Sequence, residues 1–261
     1  MSSDGSCLTE EHFIVKLAVL SDIHSNAFAL QAVLDDISYR EVDHVINLGD
    51  ILYGPIAPFK TYLLLQQHPC VTISGNQDRQ IWQASPEDIE ANATMAFIHK
   101  DLGEEPLEWM MQLPSELQLT DDIYLCHGIP GDDLIYLLED VSDGRPVLRS
   151  QEEILKLIKG NTSSLILCGH THIPRTVQLE TGQLVVNPGS VGLPAYRDDE
   201  PCLHSMENYS PHASYAIIEQ KKKRWNVEHI RVDYDYATAA RLSTQRERGD
   251  WAHYLTTGRA L

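Results

Sequence analysis

No apolar run in the 261 residues approaches the ~18 that a membrane-spanning helix needs, so no membrane partner is expected. Residues 1–11 have neither a basic start nor an apolar stretch, which argues against a secretory or transit peptide. The expectation is a cytoplasmic protein with a flexible terminus over residues 1–12. Cysteine is scarce: Cys7, Cys70, Cys126, Cys168 and Cys202 form no C-x-x-C pair, and three of them sit in apolar runs, as reduced structural thiols do. Basic charge is short as well. Against 38 acidic residues stand only 20 Lys and Arg, a formal net charge of −18 that opposes a nucleic-acid backbone. Long DNA or RNA is therefore not expected as a partner, whereas a small nucleotide or phosphorylated metabolite is compatible if bound cations reverse the sign locally. Neither linker composition nor an internal repeat divides the chain, which reads as one domain over residues 1–261, long enough to bury roughly three quarters of its unfolded surface.

What is present is a recurring unit in which a short apolar run ends in polar residues. The run from Phe13 to Leu20 stops at Ser21-Asp22-Ile23-His24, and Asn26 then caps a helix to about Tyr39. His44 to Leu48 stops at Gly49-Asp50, with Gly54-Pro55 opening a second helix. Cys70 to Ile73 stops at Ser74-Gly75-Asn76-Gln77-Asp78, and helices are predicted over 86–101 and 106–113. Ile123 to Cys126 stops at His127-Gly128 and, after a helix over 151–159, Leu165 to Cys168 stops at Gly169-His170-Thr171-His172. Beyond His172 the pattern changes to two hairpins, 175–186 and 214–232, followed by a helical segment within 235–261. The basic turn at 221–224 lies inside the second hairpin and reads as solvated.

Any one of these polar residues fits a cap, a turn or a surface histidine. Their joint recurrence does not. Asp22, His24, Asp50, Asn76, His127, His170 and His172 offer seven oxygen and nitrogen donors from five strand ends, and loops beyond strand ends can converge in α/β sheets. Seven donors exceed one ion. Two ions ~3.5–4 Å apart with a shared carboxylate account for the number. Imidazole argues against pure magnesium or calcium, leaving manganese as first choice, with iron, zinc, nickel or cobalt as alternatives.

The ordered set D-x-H, G-D, G-N-x-D, H-G and G-H-x-H, over residues 15 to 232, resembles the calcineurin-like metallophosphoesterase superfamily. The resemblance implies an α/β protein with a four-layer α/β/β/α sandwich of two mixed sheets, the hairpins after His172 supplying the second. It implies one ion on Asp22, His24, Asp50 and His172 and another on Asp50, Asn76, His127 and His170, with Asp50 bridging. It also implies in-line attack on phosphorus by water activated at the ion pair. Asn187-Pro188-Gly189-Ser190 is similar to a turn in the smaller bacterial members.

One position departs from the pattern. Many members carry a histidine between the site asparagine and the following aspartate, and use it to protonate the leaving group. Here that position is Gln77, which hydrogen-bonds but does not protonate, and general acid assistance is typically worth 10²–10⁴-fold. Asp78, the usual partner of that histidine, is expected either to orient Gln77 or to pair with Arg79. A replacement donor is sought in residues 193–213, a turn-rich stretch that carries Tyr196, Arg197, His204 and His212 and reads as a lid that touches substrate. The reading is a dinuclear phosphodiesterase for a small nucleotide-like or phosphorylated metabolite, with Asp50, Asn76, His127, Gln77 and Asp78 in catalytic roles. The alternatives are a phosphomonoesterase, including one acting on phosphoproteins, a dinucleoside-polyphosphate hydrolase, and a non-catalytic scaffold on the same fold.

Overall fold

A computed structural model describes residues 15–222 and 224–261. The expected flexible terminus, Cys7, the first two residues of the predicted opening strand and Lys223 of the basic turn lie outside the described residues. The first half of the chain alternates: β1 (Lys16–Leu20), α1 (Ala27–Ser38), β2 (His44–Asn47), α2 (Pro58–Gln67) and β3 (Val71–Thr72), then α3 (Asn76–Gln83), α4 (Pro86–Ala91), α5 (Ala93–Leu102) and α6 (Glu104–Met111). The middle holds β4 (Glu116–Thr120), β5 (Ile123–Cys126), β6 (Glu139–Asp140), β7 (Val147–Leu148), α7 (Gln151–Leu157) and β8 (Leu165–Leu167). The remainder is β9 (Arg175–Gln178), β10 (Leu184–Asn187), β11 (Ala195–Asp198), β12 (His204–Glu207), β13 (Ala213–Lys221), β14 (Arg224–Val232), α8 (Tyr236–Gln245) and α9 (Gly249–Thr257).

Two five-stranded sheets, β14-β13-β1-β2-β3 and β4-β5-β8-β10-β9, carry the site. In β1 the side chains alternate between two apolar surroundings, as the period of a strand requires. Leu17 and Val19 meet Ile46, Leu48 and Ile73 of their own sheet and Leu125, Leu165, Leu167 and Val186 of the other, so this cluster fills the space between the sheets. Ala18 and Leu20 face outward to Leu30 and Val33 of α1 and to Trp251 and Leu255 of α9. On the far side, Cys126, Ile166 and Val185 meet Ile154 of α7. These three clusters make the four layers α/β/β/α that the resemblance implies. Among the described residues no helix is long and apolar enough to cross a membrane.

The five site runs do not share one sheet. β1, β2 and β3 pair in parallel in the first, and β5 and β8 pair in parallel in the second. The two hairpins after His172 divide likewise: β9–β10 joins the second sheet beside β8, while β13–β14 returns to the first beside β1. Residues of the basic turn thus close a hairpin on the first sheet.

Helix boundaries differ from the sequence reading where a cap intervenes. The helix predicted over 86–101 is broken at Asn92, whose side chain accepts from Met95 N at 3.1 Å and starts α5. The second helix begins at Pro58, since Gly54 packs its backbone against Ser25, His24 and Trp251. The segment 193–213 is built around the β11–β12 hairpin, with Ala195, His204 and Met206 buried. The inter-sheet layer under the site is expected to dominate stability. Leu167→Ala, which empties a fully buried position there, should cost about 2–5 kcal/mol in denaturant unfolding.

Candidate metal centre

The site is made by backbone that its side chains do not favour. Asp22, His24, Asp50, His170 and His172 all lie at positive φ, between 49° and 69°. Non-glycine residues enter this region rarely, at about 1–3 kcal/mol each, and hold it only where the surroundings over-determine it. Here the turns tie one another down: Asp22 N donates to Gly49 O at 2.9 Å, His24 N to Asp50 O at 3.0 Å and Gly169 N to His127 O at 2.8 Å. The turns after β2 and β3 touch directly. A Cβ on Gly49, at φ 98°, would lie 2.3 Å from Gly75 N, and one on Gly75 would lie 2.2 Å from Asp50 Oδ1.

These turns gather the donors into two adjoining groups, Asp22 with His24 and His172, and Asp50 with His127 and His170. In the first, His24 Nε2 and His172 Nε2 are 3.0 Å apart and Asp22 Oδ1 is 3.3 Å from His172 Nε2. In the second, Asp50 Oδ2 is 3.4 Å and Asn76 Oδ1 3.1 Å from His127 Nε2. Asp22 Oδ1 also lies 4.0 Å from His127 Nε2, so the groups adjoin.

Backbone carbonyls set the imidazole tautomers. His127 Nδ1 donates to Leu48 O at 2.8 Å, His172 Nδ1 to Leu193 O at 2.7 Å and His24 Nδ1 to Tyr53 O at 3.3 Å. Their Nε2 lone pairs are left facing inward, the usual arrangement behind metal-ligating histidines. His170 is reversed: Nε2 donates to Leu134 O at 3.2 Å and leaves Nδ1 as its acceptor. Lone pairs facing each other at 3.0 Å repel unless a cation sits among them. A separation of about 3.0 Å is the edge of an octahedron with bonds of about 2.1 Å. Asp22 Oδ1, fully buried, makes no hydrogen bond. The donors therefore fit two divalent cations.

The charges agree. Burial alone would lower His127, but Asp50 and then Asp22 outweigh it and lift its pKa to about 10, so a proton can stand where a cation belongs. His24 and His170 fall to about 4, through burial and then the neighbouring His172 and His127 respectively. Burial would raise Asp50 and Asp22, yet the surrounding histidines hold both below the usual carboxylate range.

The sequence profile of the calcineurin-like phosphoesterase superfamily domain matches residues 15–209. This chain belongs to that superfamily. It is 28% identical over 258 residues to an uncharacterized protein of Methanocaldococcus jannaschii, covering 90% of this chain and 94% of the relative. The crystal structure of a metallophosphoesterase from Sphaerobacter thermophilus is 22% identical and superposes with a TM-score of 0.73, covering 94% of this chain and 99% of that one, a likeness of fold.

In this member of the superfamily five of the seven donors, His24, Asp50, Asn76, His170 and His172, line a cleft of about 230 Å³ together with Gln77. Gln77 N donates to Asp50 Oδ1 at 2.8 Å, while its side-chain Oε1 has no hydrogen-bond partner. Asp78 neither orients Gln77 nor pairs with Arg79. It accepts from the backbone N of Gly75, Ile51 and Leu52 at 3.0, 2.9 and 3.3 Å, fixing the turns from below, and burial with the Asp50 charge pushes it up to about 7. Arg79 pairs instead with Asp133 at 2.6 Å.

Of the residues singled out in 193–213, Tyr196 and Arg197 line the cleft. His204 and His212 do not. His204 is buried against Tyr136, and His212 lies 3.6 Å from Asp233, so neither stands where a leaving group would be protonated. Sequence reasoning missed the wall made by α9. Trp251 sets its ring edge-on to His24 at 5.8 Å, and Arg248 lies 5.3 Å over Trp251 while paired to Asp250 at 2.6 Å. Aromatics at positions 251 and 254 were the only local signal, and they read equally well as core.

Because the folded pKa of His127 is raised, its protonation stabilises the metal-free fold fully below about 6.5 and ceases to as pH rises through about 10. A cation must displace that proton. The gain in melting temperature on adding manganese to chelator-treated protein should therefore grow from pH 6 to pH 9; a constant gain would contradict this assignment.

Proposed function

We propose that this chain is a dinuclear metal-dependent phosphodiesterase acting on a small nucleotide-like or phosphorylated metabolite. The observation that carries the reading is the pair of adjoining donor groups, two members of each of which, His24 with His172 and Asp50 with His170, line one cleft. Asp22, His24, Asp50 and His172 would hold one divalent ion, and Asp50, Asn76, His127 and His170 the other, with Asp50 shared. Bound there, such ions supply Lewis acidity at the phosphoryl group and lower the pKa of solvent beside it.

The chain's own groups do the rest. The carbonyls of Leu48, Leu193, Tyr53 and Leu134 keep the imidazole acceptors aimed inward. The backbone N of Gln77 holds Asp50, and its side-chain amide offers a hydrogen bond to a leaving oxygen without protonating it. Asp198 and Asp250 line the cleft beside Arg197 and Arg248, so no net positive field from these side chains awaits a dianion. A diester carries one charge at phosphorus and a monoester about 1.5–2 near neutral pH, which favours the diester here. Manganese is the proposed ion. A cytoplasmic location is supported by Cys70, Cys126, Cys168 and Cys202, all free thiols.

Manganese-loaded protein should hydrolyse bis-p-nitrophenyl phosphate faster than p-nitrophenyl phosphate, lose both activities to a chelator, and lose about 10²–10³-fold in kcat in Asp50→Asn. The reverse substrate order would select the monoesterase alternative. No hydrolysis of either ester by protein that holds two ions would leave the scaffold.

A further inference from the structure

Two tyrosines pack on the paired histidines of the Gly169–His172 turn, Tyr196 at the cleft wall and Tyr136 outside its lining. The Tyr136 ring lies 4.6 Å from the His170 ring at 40°, and the Tyr196 ring lies 4.6 Å from the His172 ring at 65°. One tyrosine thus packs on a donor of each group. Their hydroxyls are 3.0 Å apart, and Tyr136 Oη is 3.0 Å from His204 Nε2.

The direction of these bonds is fixed from the far end. His204 Nδ1 donates to Cys202 O at 2.7 Å, which leaves Nε2 as an acceptor. Tyr136 must therefore donate to His204, and its oxygen is free to accept from Tyr196. The single Tyr196 hydroxyl proton is shared between Tyr136 Oη and His170 O, 3.1 Å away, so the same residue that packs on His172 reaches the backbone of the other group's histidine. Tyr136 and His204 are 5% and 2% exposed, so water does not compete at their end of the chain of bonds, while Tyr196 is half-buried at the cleft wall.

We infer that the Tyr136–Tyr196 hydroxyl pair is a positioning device that couples the two metal positions, so that an ion at one favours an ion at the other. An ion on His172 fixes that ring and the Tyr196 ring packed on it. The ordered hydroxyl pair then fixes Tyr136, and Tyr136 fixes His170 for the second ion. Such coupling is reciprocal. The inference rests on the two-ion reading above, and the shared Asp50 and the repulsion between ions persist in any tyrosine variant, so the change between variants is the quantity of interest.

The test is calorimetric titration of Mn²⁺ into the metal-free 261-residue chain, with electron paramagnetic resonance to separate coupled from isolated ions at half loading. Tyr136→Phe and Tyr196→Phe keep the rings and remove the hydroxyls. Each should lower the ratio of second to first stepwise affinity by about fivefold or more and raise the share of isolated Mn²⁺. In the double variant the two effects should be clearly less than additive, because the hydroxyl–hydroxyl bond is already lost in either single. An unchanged ratio in the single variants, or effects that add in the double, would overturn the inference while leaving the two-ion reading intact. Fewer than two ions in the wild type would sink both. If a Phe variant does not fold, His204→Leu removes the acceptor that orders the chain while keeping both tyrosines and an apolar side chain against their rings, and carries the same comparison.

Discussion

Two buried carboxylates, one amide and four inward-facing imidazoles share a space in which their lone pairs oppose one another, and the molecule is arranged to keep them there. Left to themselves these groups would separate, take up protons or admit water, since an unpartnered acceptor in a low-dielectric interior is costly. What prevents this is mechanical. Five of the seven donors are held at positive φ, and their turns are cross-tied by backbone hydrogen bonds between loops that belong to different strands. The sandwich below, filled by Leu17, Val19, Leu125 and Leu167, gives those turns a surface that does not yield. A proton on His127 relieves part of the opposition when no cation is present.

The convergence of the donors was legible because a site of this kind draws its side chains from strand ends. A short apolar run that stops at Asp, Asn or His is visible in a single sequence, and five of them in order leave little freedom of interpretation. The four layers followed from the resemblance those runs carry. The distribution of the runs between two sheets did not, because pairing is a long-range choice: nothing local tells β8 to sit beside β5 and β10 rather than beside β1, nor sends β13 back across the molecule.

Residues that act through packing were less legible than residues that act through donors. Asp78 looked like a partner for Gln77 or Arg79, yet three backbone N–H groups from two turns compete for it and win. His204 looked like a proton source, yet burial against Tyr136 and Cys202 makes it an anchor. Trp251 and Arg248 gave no hint of the cleft, since their neighbours His24 and Thr94 lie more than a hundred and fifty positions earlier. In each case the residue type was read correctly and its surroundings were not.

The α9 wall has a consequence for how such a protein diversifies. The candidate donors lie within residues 15–209, the stretch that matches the superfamily, whereas Arg248, Trp251 and Tyr254 come from beyond it. The candidate donors and this side of the cleft wall thus come from separable parts of the polypeptide. Drift in a peripheral helix can reshape that wall while the turns that gather the donors stay under unchanged steric constraint.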